Sequence, residues 1–235
     1  AALELGGKSA NIILDDADLE KVIPAALGQS FINSGQVCAA LSRLIVPEAR
    51  RADIEAIAVE AAKSWTLGDP TDPANRLGPL ANRAQQEKVR QAISGAMEEG
   101  ASLLCGGPDQ PAGLSKGAYV SPTILSNVTQ GMTIFREETF GPVLSVIGYA
   151  DEGDAIRIAN DSQYGLSGGV WSQSLERAEG VARRMRTGQV ILNGASLDLA
   201  APFGGVKQSG LGRENGRYGL EEYCSPKAIT RPISA

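Results

Sequence analysis

Short, continuous apolar runs alternate with segments of helical periodicity along most of the chain, and that alternation leaves few folds open. Asn11–Leu14, Leu44–Val46, Val143–Tyr149, Gly169–Trp171 and Val190–Leu192 read as strands buried on both faces, and Ser102–Leu104 and Val120–Leu125 as further strands. Helical spacing runs from about Leu19 to Ile32 behind Asp18 as N-cap, and from about Ala52 to Trp65 with Ile54, Ile57, Ala58, Ala61 and Ala62 on one face. It returns from about Arg83 to Glu99, capped by Asn82 and stopped by Gly100, then over Glu152–Asn160 and Leu175–Met185. Gly68–Pro79, with three prolines and two glycines, is a loop. A strand that is apolar throughout needs cover on both faces, and strand–helix repetition supplies it. The expected fold is α/β, a three-layer α/β/α arrangement around a mostly parallel sheet, with an extended C-terminal arm from Ser225 to Pro232.

Composition narrows the chemistry. With 235 residues the chain is long enough for one large domain. A formal net charge of -5 argues against nucleic acid as a partner. No run of some 18 apolar residues is present, so no membrane-spanning helix is expected. The chain has no histidine, which excludes Ser-His-Asp and Cys-His catalysis and most zinc sites; no metal is expected. The three cysteines, Cys38, Cys105 and Cys224, form no CxxC pair, so a disulfide framework is not expected and a reducing cytoplasm fits better. The first residues contain no initiator Met and no signal peptide, and read as a cut into a longer protein.

Cys38 stands apart from the other two cysteines. It follows a helix and Gly35, on or near a turn, whereas Cys105 in a strand and Cys224 near the tail read as small buried hydrophobes. Gly35-Gln36-Val37-Cys38 with Ser42-Arg43 resembles the active-site cysteine motif of the aldehyde dehydrogenase superfamily. Leu3-Glu4-Leu5-Gly6-Gly7-Lys8, with Glu4 34 residues before Cys38, is similar to that family's glutamate motif. Glu137 through Pro142 is similar to its third signature, and Pro202-Phe203-Gly204-Gly205 with Lys207, Ser209-Gly210 and Gly212-Arg213-Glu214 to its fourth. Four motifs in family order and spacing cover essentially the whole chain.

The resemblance implies NAD(P)-dependent oxidation of an aldehyde to a carboxylic acid. Cys38 would be the nucleophile, because an sp² aldehyde carbon is a poor hydride donor until a thiolate has added to it. Glu4 would be the base that activates water against the resulting thioester, with Leu3 and Leu5 as apolar flanks that raise its basicity. The backbone N–H of Cys38 would serve the oxyanion together with an Asn upstream of this chain. Glu138 would accept hydrogen bonds from the nicotinamide ribose hydroxyls, Phe140 would lie beside the nicotinamide, and Gly6 would allow close approach. Gln85 and Lys88 match positions on the adenosine ribose side, or else form an exposed helix face. The cofactor, NAD or NADP, would be held mainly by an N-terminal domain that this chain lacks, since no GxGxxG-like strand–turn–helix is found. Lys8 and Lys207 pair with carboxylates, line the site or, by default, are solvated, and Arg43 would depress the thiol pKa if it approached Cys38.

The expected organisation is a catalytic domain over 1–215, with residues 1–7 at the junction, and a C-terminal helix and oligomerisation strand over 216–235. The segment Lys227–Pro232 fits pairing with a neighbouring subunit, which predicts a homodimer or tetramer. Val37 and Leu199 point to an apolar channel for a medium-sized apolar aldehyde, and Asp198 would face solvent or repel acidic substrates. Two rival readings stand beside this one: a CoA-acylating relative, disfavoured by the presence of Glu4, and a non-catalytic fragment.

Overall fold

The computed structural model describes residues 2–196 and 198–233. Residues 1, 197, 234 and 235, at the ends of the two expected domains and in the loop before Pro202, lie outside the described residues.

Seven strands form the main sheet. They are β2 (Ala10–Ile13), β3 (Arg43–Pro47), β4 (Ser102–Cys105), β5 (Thr123–Ser126), β6 (Val143–Tyr149), β7 (Gly168–Trp171) and β8 (Ile191–Leu192), in the order β4-β5-β6-β3-β2-β7-β8. Every neighbouring pair is parallel except β4 with β5, an antiparallel edge. The helices α1 (Leu19–Phe31), α2 (Arg51–Ala62), α3 (Arg83–Glu98), α4 (Thr133–Arg136), α5 (Glu152–Asn160) and α6 (Leu175–Ala182) connect them. The short strands β1 (Leu3–Glu4) and β9 (Gly210–Leu211) pair antiparallel apart from this sheet, and α7 (Gly216–Glu221) follows.

Period-two alternation explains the three layers. Ile13, Leu44, Val46, Leu144 and Val146 point to one face, where they pack with Val22, Ile23 and Leu27 of α1 and Ile54 and Ala58 of α2. Ile12, Ile45, Val143 and Ile147 point to the other, with Val89 and Ile93 of α3, Phe135 of α4, Ile156 of α5 and Val181 of α6. The fully apolar runs are thus strands covered twice, as the sequence requires. Helix starts follow the capping chemistry in three places: Asn82, Asp151 and Ser174 each accept a hydrogen bond from the backbone N–H three residues on. Asp18 occupies the N-cap of α1 without a side-chain cap bond and instead pairs with Lys21 at 3.1 Å.

Several boundaries differ from the sequence reading. Strand β5 is Thr123–Ser126 rather than Val120–Leu125, and the helices expected to reach Trp65 and Met185 stop at Ala62 and Ala182. In each case the outermost surplus residue (Val120, Trp65 or Met185) belongs to the core, so apolar periodicity outruns the hydrogen-bond ladder. Among the described residues, 225–233 pair with nothing and are exposed.

One parallel register places the chemistry. Ala10 of β2 is in register with Arg43 of β3 and with Gly168 of β7, and Arg43 with Ser145 of β6. The segments leading into β2, β3, β6 and β7 therefore meet at one edge, the amino ends of the strands. Arg43 locks that edge. Its guanidinium is 2% exposed, and it donates from Nε to the carbonyl of Lys8 (2.8 Å), from Nη1 to Ile158 (3.1 Å) and from Nη2 to Ala159 (2.9 Å). It also lies 4.8 Å from the centroid of the Phe135 ring. Ile158 and Ala159 are in the last turn of α5, whose free carbonyls need donors and favour a cation. Arg43→Met is expected to lower unfolding free energy by on the order of 3 kcal/mol, since it leaves the buried carbonyls of Lys8 and Ala159 without a donor. Urea denaturation checks this, and an unchanged midpoint refutes the assigned role.

Candidate active site

The turn that carries Cys38 is built by an unusual backbone. After α1, Asn33, Ser34 and Gly35 all adopt left-handed conformations, with φ of 52°, 55° and 71°. Two side-chain bonds hold the non-glycine pair in place: Ser34 Oγ donates to the Gly78 carbonyl (2.9 Å), and Asn33 Nδ2 to the Gln36 carbonyl (3.2 Å). Gln36 Oε1 in turn accepts from the Ala81 N–H at 2.9 Å, tying the turn to the start of α3. Gly35 sits against the Gly141–Pro142 backbone, where a Cβ would collide with the Gly141 carbonyl. The cysteine motif thereby touches the third motif. Cys38 follows, half-buried, in a turn closed by the Ala40 N–H on the Val37 carbonyl (3.0 Å).

Glu4 reaches the same place from the other side. Its strand β1 pairs with β9, Glu4 opposite Gly210, so the first and fourth motifs are hydrogen-bonded partners. Ser209 cements them: its carbonyl accepts from the Leu5 N–H (3.0 Å), and its Oγ donates to the Gly6 carbonyl (2.7 Å) and accepts from the Gly165 N–H (2.9 Å). The Glu4 carboxylate faces the Cys38 thiol. Burial, the negative charge of Glu4 and a hydrogen bond to Glu4 push that thiol up to about 11, while the facing amides of Ala39 and Cys38 pull the other way. Arg43 has no part in this, because its guanidinium is committed to carbonyls on the far side of the sheet edge. Leu3 and Leu5 do flank Glu4 in sequence, but both are about half exposed and do not enclose it.

Gly6 and Gly7 join the thiol side to the third motif. Neither has positive φ, and their value is close approach: a Cβ on Gly7 would lie 2.7 Å from the Cys38 carbonyl, and one on Gly6 would occupy the place of Glu138 Oε2. The Gly7 N–H donates to Glu138 Oε1 at 3.0 Å. Glu138 is half-buried with one oxygen fixed and the other beside Gly6. Next to it, Phe140 adopts φ of 54°, a conformation that costs an aromatic residue about 1–2 kcal/mol. Gln85 Nε2 braces it by donating to the carbonyls of Thr139 (3.0 Å) and Phe140 (2.8 Å). Gln85 is thus a brace, not a solvated face.

Lys88 is exposed, on the rim of a cleft of about 280 Å³ between α3 and residues 133–139 that Glu138 also lines. Cys105 is half-buried at the sheet edge, and Cys224 is exposed at the end of α7 rather than buried, since nothing packs on that turn. Lys8 is 2% exposed, contrary to a solvated default, and Lys207 Nζ donates to the carbonyls of Asn160 and Ser162, both at 3.0 Å. Leu199 is 70% exposed, and Asp198, one oxygen of which accepts from the Ala200 N–H at 2.8 Å, lines a cleft with Val190, Leu192 and Phe203. Among the described residues no group of metal-ligating side chains converges. Ser209 and Gln36 were not singled out from the sequence as organisers; their positions inside the fourth and second motifs were the available signal.

A sequence profile of the aldehyde dehydrogenase family matches residues 1–229. A 3-succinoylsemialdehyde-pyridine dehydrogenase from a Pseudomonas species is 54% identical over 228 residues, covering 97% of this chain and 48% of that protein. Peroxisomal aminoaldehyde dehydrogenase 1 of Pisum sativum is 45% identical over 234 residues, 99% of this chain and 46% of that protein. The crystal structure of a cysteine-to-alanine variant of aldehyde dehydrogenase C from Pseudomonas syringae, with NAD+ and octanal, superposes with a TM-score of 0.97 at 47% identity. It is matched over 100% of this chain and 49% of its own. The chain spans about half the length of the curated relatives it matches.

The electrostatic pairing of Glu4 with Cys38 has a direct consequence. Glu4→Gln removes the charge that holds the thiol up, so alkylation of Cys38 by iodoacetamide at pH 8 is expected to accelerate, about tenfold for each pKa unit recovered. A slower reaction would mean that Glu4 activates the thiol instead.

Proposed function

The chain belongs to the aldehyde dehydrogenase family, and from that premise we propose that it carries the nucleophile and the hydrolytic base of an NAD(P)-dependent oxidation of aldehydes to carboxylic acids. The observation that supports this best is the convergence of Glu4, Cys38 and Glu138 on the Gly6–Gly7 turn from three distant segments.

Cys38 supplies the sulfur. Its S–H bond breaks, an S–C bond forms to the aldehyde carbon, and the C=O electron pair moves to oxygen to give a thiohemiacetal. Because burial and Glu4 hold the thiol at about 11, the proton leaves Cys38 as the S–C bond forms and ends on the former carbonyl oxygen. The backbone N–H of Cys38 would donate to that oxygen while it carries negative charge. A bound nicotinamide would supply the hydride acceptor this oxidation needs, and Cys38 would then hold the acyl group as a thioester. Glu4 then takes a proton from water as its oxygen attacks the thioester carbon; the C–S bond breaks and the acid departs. A carboxylate beside an esterified sulfur no longer faces a titrating thiol, so it is free for this second task.

The residues present fit a nicotinamide ribose. Glu138 offers one free carboxylate oxygen beside a Cβ-less Gly6, and the braced Phe140 turn adjoins it. Gly6 gives clearance, and Gln85 acts through the Phe140 carbonyl. NAD is favoured over NADP by the NAD+ bound in the Pseudomonas syringae relative, and the octanal bound there favours a medium-sized apolar aldehyde. The tail over 216–235 is assigned to subunit pairing in a homodimer or tetramer, and the free thiols to a reducing cytoplasm.

The test is an activated ester, which needs only thiol and base. Cys38→Ala is expected to abolish hydrolysis of p-nitrophenyl acetate, while Cys105→Ala and Cys224→Ala retain it. Glu4→Gln is expected to release one equivalent of nitrophenol in a burst and then stall by at least roughly 100-fold, the range of a lost general base. Steady turnover by Cys38→Ala would sink the proposal. The 235-residue chain alone is expected to reduce NAD+ with octanal slowly or not at all; CoA-dependent turnover would favour the acylating alternative.

A further inference from the structure

Lys8, like Arg43, is a buried cation near the site that the proposed chemistry does not use. It directly follows Gly7, whose N–H holds Glu138, and its own Nζ donates to Thr139 Oγ1 at 3.2 Å. Two consecutive residues of the glutamate motif thus grip two consecutive residues of the third motif, across 131 positions of sequence. The Lys8 carbonyl is also one of the three that Arg43 engages, so its backbone is fixed from behind. What remains adjustable is the amine.

That amine is poorly provided for as a cation. An ammonium has three N–H donors, and Thr139 Oγ1 is the one protein acceptor that Lys8 Nζ meets among the described residues. The charged groups facing it are Arg43 from β3, which repels, and Glu137 and Glu138 from the segment after α4, which attract. Arg43 satisfies its own charge on three carbonyls and offers no relief. A neutral amine, by contrast, donates one bond to Thr139 and leaves little unsatisfied. Burial and Arg43 outweigh the two carboxylates and bring Lys8 down to about 7 from 10.5.

We propose that Lys8 is a positioning residue whose uncharged amine pins Thr139, and with it the Glu138 carboxylate, against the Gly6–Gly7 turn, and whose protonation loosens that pin. The sign follows from linkage. When the segment opens, Lys8 meets water and regains its ordinary affinity for a proton, so the open form binds more protons than the closed form between about 7 and 10.5. The closed form therefore gains with rising pH through that window and is uniformly weaker below it. Its consequence for catalysis, a cofactor-facing Glu138 better ordered in mildly alkaline solution, rests on the reading of Glu138 given above; the placement of Lys8 does not.

Hydrogen exchange of the full chain tests this without cofactor or substrate. Protection of the peptide 136–142, corrected for intrinsic exchange, is expected to stay flat below about pH 7 and to rise about tenfold per pH unit above it. Lys8→Met, which cannot be protonated, should show protection that does not vary with pH. Thr139→Val, which keeps the shape but removes the acceptor, should lose protection on the alkaline side. A flat wild-type profile overturns the inference, as does a wild-type slope retained in Lys8→Met or an unchanged Thr139→Val. An equal slope in the α2 peptide 51–62, packed on the opposite face of the sheet, would also overturn it, because Lys8 would then act on global stability alone. These results are independent of esterolysis. A flat exchange profile leaves the functional reading standing, and hydrolysis that survives Cys38→Ala leaves the Lys8 pin standing.

Discussion

The buried guanidinium of Arg43 is the constraint on which the site depends. Removing a full charge from water is costly, and the cost is offset here by three carbonyl acceptors and an aromatic face. Burial still depresses its pKa to about 10, with Asp161 opposing and Arg136 adding to the effect, so it stays a cation at neutral pH. Lysine, a single point donor, cannot span carbonyls on two segments at once. Through Arg43 the segment entering β2 at Lys8, the start of β3 and the last turn of α5 have one fixed spacing. Arg136 extends the frame by pairing with Asp161, Nη1 to Oδ1 at 2.6 Å and Nη2 to Oδ2 at 2.9 Å. That ion pair anchors the segment that leads directly into Glu137 and Glu138. Cys38, Gly7 and Glu138 are therefore brought together by a scaffold that touches none of the reacting atoms.

Cys38 and Glu4 oppose each other electrostatically, and the opposition suits a reaction in two stages. While the sulfur is free, a nearby carboxylate disfavours the thiolate, and the resting thiol is kept protonated at neutral pH. A protonated thiol reacts slowly with stray electrophiles and oxidants, which attack the thiolate. Once the sulfur is acylated it no longer titrates, and nothing in the pair discourages Glu4 from taking a proton from water. One carboxylate can thus restrain the nucleophile in the first stage and serve as base in the second, without movement of either segment.

Much of this was legible in the sequence, and the failures share a cause. The strands Val143–Tyr149 and the helix Glu152–Asn160 stand where the pattern puts them, because each is bounded by a change of period and, for the helix, by the Asp151 cap. The four motifs, far apart in sequence, are brought together by the fold. What the pattern does not carry is anything set by pairing across long sequence separation. The β1–β9 ribbon is two residues per strand, too short for any periodicity, yet it is what holds Glu4 in place. Nothing in the sequence marks Lys8 or Arg43 as buried, and they are so because the parallel register brings β2, β3 and α5 to one edge. Gln85 was legible as part of a polar helix face; that it braces a left-handed Phe140 depends on a fold contact 55 residues away. Cys224 shows the converse, since a residue type that is usually buried is exposed where no element covers the tail.

The edge of the sheet on which the site lies also limits what it can recognise. In open α/β sheets ligands usually sit at the carboxyl ends of the strands, where helix N-termini point free N–H groups at anions. Here the site is at the amino ends, and the helices that return to it, α1 before β3 and α5 before β7, arrive by their C-termini. Helix C-termini present carbonyls and partial negative charge, which favour cations and repel phosphate. Arg43 answers the α5 carbonyls, and its positive charge is consumed in doing so. The functional groups left at this edge are a thiol, two carboxylates and peptide N–H groups in turns: a set suited to covalent attack on a carbonyl and to hydrogen bonds from hydroxyls. None of these is an anion cradle. A dinucleotide meeting this surface would be engaged through its nicotinamide ribose, and its pyrophosphate would have to be satisfied by groups outside the edge formed by β2, β3, β6 and β7.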